Sequence, residues 1–448
     1  MIDLVLARGG SVTDEGRLLF PSDLIEETLA GVRRDVTLAA RAEGADLDLS
    51  GARVQFSSGG ASPSVVDLES GAYRDATTAD LYDAARLVDA LENVHHFSRS
   101  LVARDAPNAL TMDVNTAYAC LSGTAKHVSI SATDASHVGA LARICHLIAG
   151  GEAAFRARPF MTIMVCHVVP PMRFATEACE TLEAAIRAGF PVQIISAGQA
   201  GATSPASIAG SLAQAVAETL AGVAFGWLID PEARLIFAPK PLVADLRTGA
   251  MCGGGGEQAI LMAAAAQMGR VYDLPTSSIA GITDAKIADA QHGYEKSLAV
   301  SLAAQAGSNL ITQACGMQAS LLGASFEGYV IDDDMLGAIM RSLRGVEATA
   351  ANLSTDVIRD VCLGDGHYLG HPDTLARMKA DYAYPVVADR RSPGDWAADG
   401  ARDIRETARE RARAILAGHR PTPFDDTVDD AIRAEFDILL SRTEVGRA

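Results

Sequence analysis

Residues 365–370 read DGHYLG, the D-x-H-x-x-G spacing that in corrinoid-binding domains sets a histidine under cobalt, held by an aspartate. Such a domain needs a further sheet downstream, with S-x-L and Gly-Gly elements. The 78 residues after Gly370 read as helical and contain neither. The chain is therefore expected to bind no cobalamin of its own. His367 and His371 are expected to hold the C-terminal part down.

Other residues carry chemistry by type and place. His167 ends the apolar run Phe160–Val168, ahead of VVPP, and at a cavity mouth it would bind a carboxylate. Gln199 lies between Gly198 and Gly201, where backbone amides can approach an anion. Cys252–Gln258, CGGGGEQ, lacks the Gly-Lys-Ser/Thr of a phosphate-binding Walker loop. Four glycines before a helix suggest a lid or close approach to a ligand, which makes Gly255 and Glu257 candidates. Glu257 is either a carboxylate near a cation or an acidic first-turn residue suited to the helix dipole. Asp284 in ITDAK reads as an N-cap.

Gln313, Gly316 and Met317 follow the last apolar run, with Gln313 and Met317 expected to touch substrate. No metal site is expected: H-E-x-x-H and paired-cysteine spacings are missing, and adjacent His95 and His96 in a strand point to opposite faces. Lys240 would serve a Schiff-base lyase, but its setting APKPL reads as an exposed turn. No acid, base or nucleophile is assigned a catalytic role.

The elements that must position these residues recur along the chain. Strand-like runs lie at 53–58, 94–101, 127–132, 160–168, 192–197, 234–238, 276–281 and 309–314, each followed by an Ala-rich stretch of helical period. One of these stretches is expected to open at Ser204-Pro205, read as N-cap and first helical position. Eight such units favour an α/β fold closed as an eight-stranded parallel βα (TIM) barrel over a doubly wound open sheet. In a barrel the chemistry sits where strand C-termini feed the loops. Residues 51–345 are assigned to the barrel, 1–50 to a cap at its lower end, and 346–448 to a helical appendage. Within the appendage Ile404, Ala408, Ala412 and Ile415 form one apolar stripe.

Composition narrows the partners. The 448 residues carry a net charge of −18, which argues against nucleic acid and anionic membrane surfaces. Seven scattered cysteines read as reduced thiols. The first residues do not form a signal peptide, and apolar stretches break before about 20 residues. A cytoplasmic protein that self-associates is expected.

Six separated stretches carry a resemblance: FPSDLIEETLA, VVDLESGAYRDATTADLYDAARLVDALENV, GATSPASIAGSLAQAVAETLAG, GITDAKIADAQHGYEKSL, GSNLITQACGMQASLLGASFEGYVIDDDML and GHYLGHPDTLARMKADYAYPVVADR. In this order they resemble the trimethylamine methyltransferase family from about residue 16 to beyond 420. The resemblance implies a βα barrel that moves a methyl group from a methylated amine to the cobalt of a separate corrinoid protein. It also explains GHYLGHPDTL as a family signature, and implies that His367 and His371 face the corrinoid of that separate protein or hold the appendage down.

Where the family's trimethylamine enzymes carry pyrrolysine, this chain has ordinary residues near Gly316 and Met317. Members without pyrrolysine include enzymes that demethylate glycine betaine and related quaternary amines. A quaternary nitrogen leaves as a neutral amine, whereas a tertiary amine must first be made cationic, so the departure points to a betaine-type donor. Trimethylamine or another methylamine, a pterin acceptor, and a betaine-binding protein without turnover are the alternatives. A quaternary ammonium calls for aromatic faces or carboxylates. Phe97 is the best-placed ring, with Tyr118 and Phe225 behind it.

Overall fold

All eight runs contain strands in the computed structural model, which describes residues 1–364 and 366–447. In chain order they are β1 (Gln55–Phe56), β2 (His96–Ser98), β3 (His127–Ile130), β4 (Met161–Cys166), β5 (Val192–Ser196), β6 (Leu235–Pro239), β7 (Ser277–Ile279) and β8 (Leu310–Thr312). A long helix follows each: α1 (Thr78–Ala90), α2 (Ala109–Gly123), α3 (Val138–Ala149), α4 (Thr176–Arg187), α5 (Ile208–Ile229), α6 (Gly256–Val271), α7 (Ala290–Gln305) and α8 (Phe326–Leu343).

Strands β2 to β6 make one parallel sheet, and β7, β8 and β1 make another. Single parallel bridges from Ser57 to His96 and from Phe237 to Thr276 join the two. Followed in order, parallel pairing passes through all eight strands and returns to the first. Every residue of β5 and β6 is buried, which is why these strands read as continuous apolar runs and not as alternation.

Local signals start several helices. Thr77 and Asp80 form a reciprocal capping box at α1, and Asn108 caps α2. Helix α5 begins at Ile208 behind Ser207, not at Ser204-Pro205. The amides of Ala202, Thr203 and Ser204 all donate to the Gln199 carbonyl, so a turn occupies the place expected for the helix start. This 22-residue helix has the length and composition to cross a membrane, although Gly210, Glu218, Gly222 and Gly226 interrupt its apolar run. Half of it is buried, packed against α4, α6, β5, β6 and the N-terminal helix Ser22–Gly31.

The chain before β1 covers one end of the strands. The hairpin Thr37–Leu38/Leu47–Asp48 brings Val36, Leu38, Leu47 and Leu49 onto Ile236 and Leu310, near the starts of β6 and β8. That leaves the C-terminal ends of the strands open to solvent.

After α8 come α9 (Thr355–Leu363), α10 (Pro372–Ala380), α11 (Pro393–Ala398), α12 (Ile404–Gly418) and α13 (Asp426–Glu435). Helix α12 packs on α8 and α1 through Ala408, Ala412 and Ile415, while Ile404 of the same stripe stays exposed. The buried Asp429 of α13 accepts hydrogen bonds from Tyr118 Oη (2.5 Å) and Arg433 Nε (2.8 Å), tying α13 to α2. Helices α9 and α10 together bury only Val361.

Candidate active site

A cavity of about 520 Å³ opens at the C-terminal ends of the strands, and each of the eight contributes to it. Gly60 and Ala61 follow β1, Arg99 follows β2, and Ser131 to Thr133 follow β3. Met164 and Cys166 belong to the end of β4, and Ala197 follows β5. Lys240 follows β6, Ile279 ends β7, and Gln313 follows β8. Glu177, in the first turn of α4, and Leu321 stand at the edge.

Lys240 overturns its sequence reading. The pair of prolines around it suggested an exposed turn, yet Lys240 is 3 % exposed. Pro239 is itself the last residue of β6, so the next side chain turns inward over the strand ends. Its Nζ donates to Gln193 Oε1 (3.3 Å) and Thr312 Oγ1 (3.1 Å). Burial lowers its pKa to about 8, against a smaller raising effect of the Cys166 thiol. Burial also lowers the Arg99 pKa, and Arg99 Nε is enclosed without an acceptor. Under the cavity, His96 is fully buried with neither ring nitrogen partnered, and burial keeps it well below its usual pKa.

Behind the wall, the loop after β8 is pinned from below. Asp332 Oδ2 accepts from Gly316 N (2.8 Å) and Lys296 Nζ (2.6 Å), and Oδ1 contacts His292 Nε2 (2.8 Å). Burial alone would raise the Asp332 pKa, but Lys296 and His292 bring it below the usual range. Gly316 has φ +80°, and any Cβ there would run into the Tyr329 ring. Gln313 is also left-handed, at φ +60°, a conformation that costs a residue of its type of the order of 1 kcal/mol or more. Among the expected contacts, Gln313 alone lines the cavity. Gly316 and Met317 lie just behind it, the Met317 thioether filling the space where a side chain on Gly60 would be.

The remaining sequence candidates lie elsewhere. Phe97, Tyr118 and Phe225 are fully buried in the core, and among the described residues no aromatic ring lines the cavity. Glu177 is the one carboxylate among the described residues that lines it. His167 turns away into α5, its Nε2 at 2.9 Å from the Glu218 carbonyl oxygen. Gln199 reaches the Val243 carbonyl (3.5 Å), Gly255 caps α6, and Glu257 is an exposed residue of that helix's first turn.

Asp284 is not an N-cap, a role taken by Asp289 at α7. It stakes the glycine loop instead, accepting from Gly253 N (2.8 Å), Gly254 N (3.3 Å), Cys252 Sγ (3.2 Å) and Ser320 Oγ. His371 caps α10 through Nδ1, with Pro372 entering the helix, and His367 Nδ1 lies 3.1 Å from the Leu369 carbonyl oxygen. Neither lines the cavity, and Asp365 of the D-x-H spacing lies outside the described residues. Arg99, Met164, Cys166 and Glu177 are not site candidates in the sequence, and Lys240 is weighed there only to be set aside as an exposed turn. For most of them the signal was position, at or just after the last residue of a strand.

A parallel α/β scaffold with its cavity at the strand C-termini is the setting in which enzymes of this class place their chemistry. The chain belongs to the trimethylamine methyltransferase family, whose model matches residues 1–442. It is 32% identical to Trimethylamine methyltransferase MttB2 of Methanosarcina mazei, over 78% of this chain and 70% of that protein. It is 30% identical to Trimethylamine methyltransferase MttB of Methanosarcina barkeri, over 86% and 78%. It is 27% identical to the Glycine betaine methyltransferase of Desulfitobacterium hafniense, over 96% and 89%. Among solved structures, a dihydropteroate synthase of Xanthomonas albilineans superposes with a TM-score of 0.40 at 14% identity, covering 70% of this chain and 99% of that one.

Proposed function

We propose that this protein is a methyltransferase that takes a methyl group from a betaine-type quaternary amine and passes it to the cobalt of a separate corrinoid protein. We read its strands as a closed eight-stranded βα barrel with an N-terminal cap and a helical C-terminal appendage. The observation that carries the donor class is the loop after β8. It presents the Gln313 and Leu321 side chains to the cavity, while Gly316 and Met317 are held behind the wall. That loop offers no electrophile to which a tertiary amine could add. A donor that is already quaternary needs none: the carbon–nitrogen electron pair leaves with the nitrogen, the product amine is neutral, and no proton moves.

Such a reaction asks the chain to hold the methyl carbon in line with the acceptor and to exclude water. The acceptor would arrive at the cavity mouth. An apolar collar supports this: Val169, Met172, Leu246, Ile287 and Leu322, on loops after β4, β6, β7 and β8, are 44–69 % exposed. Bare apolar side chains on α9 and α10, such as Ile358, Leu363 and Leu375, support self-association.

The test is methylation of added cob(I)alamin by the purified protein, followed by absorbance, with betaines and trimethylamine as donors. Betaines are expected to react, and trimethylamine turned over as fast as any betaine overturns the reading. One second reading has an observation behind it, since an enclosed lysine at a pKa of about 8 suits Schiff-base chemistry. Borohydride trapping of a carbonyl substrate on Lys240 would establish it.

A further inference from the structure

Buried charge in a folded chain is normally paired, because an unpaired ion out of water is costly. Several enclosed cations in this fold obey the rule, while Arg41 and Lys126, away from the cavity, meet only backbone carbonyls. Lys296 is paired with Asp332 at 2.6 Å, Arg86 with Asp83 at 2.7 Å, and Arg447 with Asp426 at 2.6 Å.

The cavity breaks it twice. The Lys240 ammonium has only neutral acceptors, the Gln193 amide and the Thr312 hydroxyl. The Arg99 guanidinium forms no ion pair among the described residues, and its Nε is enclosed without any acceptor. Asp113, a carboxylate whose charge acts on Arg99, bonds through Oδ2 to Thr133 Oγ1 (2.7 Å) and His137 Nδ1 (2.8 Å), and its enclosed Oδ1 makes no hydrogen bond to Arg99. The two cations come from β2 and β6, on opposite sides of the order in which the strands pair. They converge on one cavity whose single lining carboxylate, Glu177, is at the exposed edge.

A bare quaternary cation has no aromatic face here and meets two positive charges. A zwitterion meets a different site: its anion supplies the missing counter-charge and its cation points away from it.

We propose that Lys240 and Arg99 form an anion subsite that takes the carboxylate of the methyl donor. The donor then lies carboxylate inward, with its trimethylammonium end toward the mouth and the Glu177 side. This rests on the methyl-transfer reading and adds the half of the substrate that reading leaves open. It also gives the methyl group its direction, since the anchored end is the one that does not react.

Calorimetric titration without any acceptor tests it. The wild-type protein and the variants Lys240→Met and Arg99→Gln are titrated with glycine betaine, a longer-spacer betaine and choline, which keeps the trimethylammonium group but has a hydroxyl in place of the carboxylate. A charged hydrogen bond corresponds to roughly tenfold or more in affinity. At least one betaine is expected to bind the wild type roughly tenfold or more tighter than choline. Each variant is expected to lose about that factor for the betaine while binding choline no worse. Choline binding as tightly as the better-bound betaine, a folded Lys240→Met with unchanged affinity for that betaine, or no betaine binding at all overturns the subsite. Should Lys240→Met fail to fold, the comparison of betaine with choline on the wild type decides alone. Because binding is read without cobalt, selective betaine binding with no methyl transfer would remove the enzymatic reading and leave the subsite standing. Transfer without discrimination would do the reverse.

Discussion

The Lys240 ammonium donates to Thr312 Oγ1 at 3.1 Å, so a side chain from the end of β6 reaches past β7 to β8 inside the strand ends. This contact places a positive charge where the sequence suggested an exposed loop. Its energetic sign is opposite to that of an ordinary core contact.

The pH dependence follows from that burial. An unfolded lysine has a pKa of about 10.4, whereas Lys240 in the fold is drawn down to about 8. The folded state therefore holds this proton less tightly than the unfolded state. The penalty is fully present below about pH 8 and fades as the pH rises toward about 10.4, amounting to roughly 3 kcal/mol. The titratable neighbours are the Cys166 thiol, which opposes the shift, and the neutral His96. Lys240→Met is expected to be more stable than wild type at pH 7 by up to about 3 kcal/mol, with the advantage shrinking by pH 9.5. Denaturant unfolding at the two pH values checks this. A variant that is less stable at pH 7 would show that the lysine is structural.

Asp332 should behave as the support of the β8 loop. Asp332→Asn leaves the fully buried Lys296 without its counter-charge and is expected to cost about 3–5 kcal/mol. Removing both charges in the double variant with Lys296→Met should restore much of that loss. A double-mutant cycle by urea unfolding measures the coupling, and additive losses would mean that the two residues act independently.

Gly316→Ala meets two obstacles at once, the left-handed backbone and the Tyr329 ring. A loss of about 2–4 kcal/mol is expected, seen as a lower Tm. A variant as stable as wild type would mean that the loop is free to move, contrary to its pinning by Asp332.

At the C-terminal part, Ala412→Glu introduces a charge where α12 meets α8 and α1. Faster hydrogen exchange across 404–418, with the strands still protected, is the expected outcome. Global unfolding in place of local release would show that α12 belongs to the same cooperative unit as the strands.

Sequence reading located the eight strands that line the cavity because each lies in a short, mostly buried run of strand-forming residues followed by a helix. Which face of a short strand looks inward was not legible, and that decided the site. In β2, His96 and Ser98 lie on the inner side. Ser98 Oγ is 3.5 Å from Met164 Sδ, and Lys240 lowers the pKa of His96. Phe97 alternates to the other face and joins the core. His167 lies just beyond β4 and turns into α5 for a similar reason. Lys240 was hidden by its two prolines, which look like a surface turn unless one knows that Pro239 still pairs with Ser196 in the ladder. Gln313 was legible because it follows the last strand directly.

The central claim is transfer of an intact methyl group from a zwitterionic quaternary nitrogen to cobalt, and isotope tracing tests it most directly. A betaine with deuterated N-methyl groups is incubated with the purified protein and cob(I)alamin, and both products are analysed by mass spectrometry. The account predicts fully deuterated methyl on the corrinoid in an amount equal to the tertiary amine formed, and little or none from labelled trimethylamine. Equal labelling from trimethylamine, or a demethylated amine without labelled corrinoid, would contradict it.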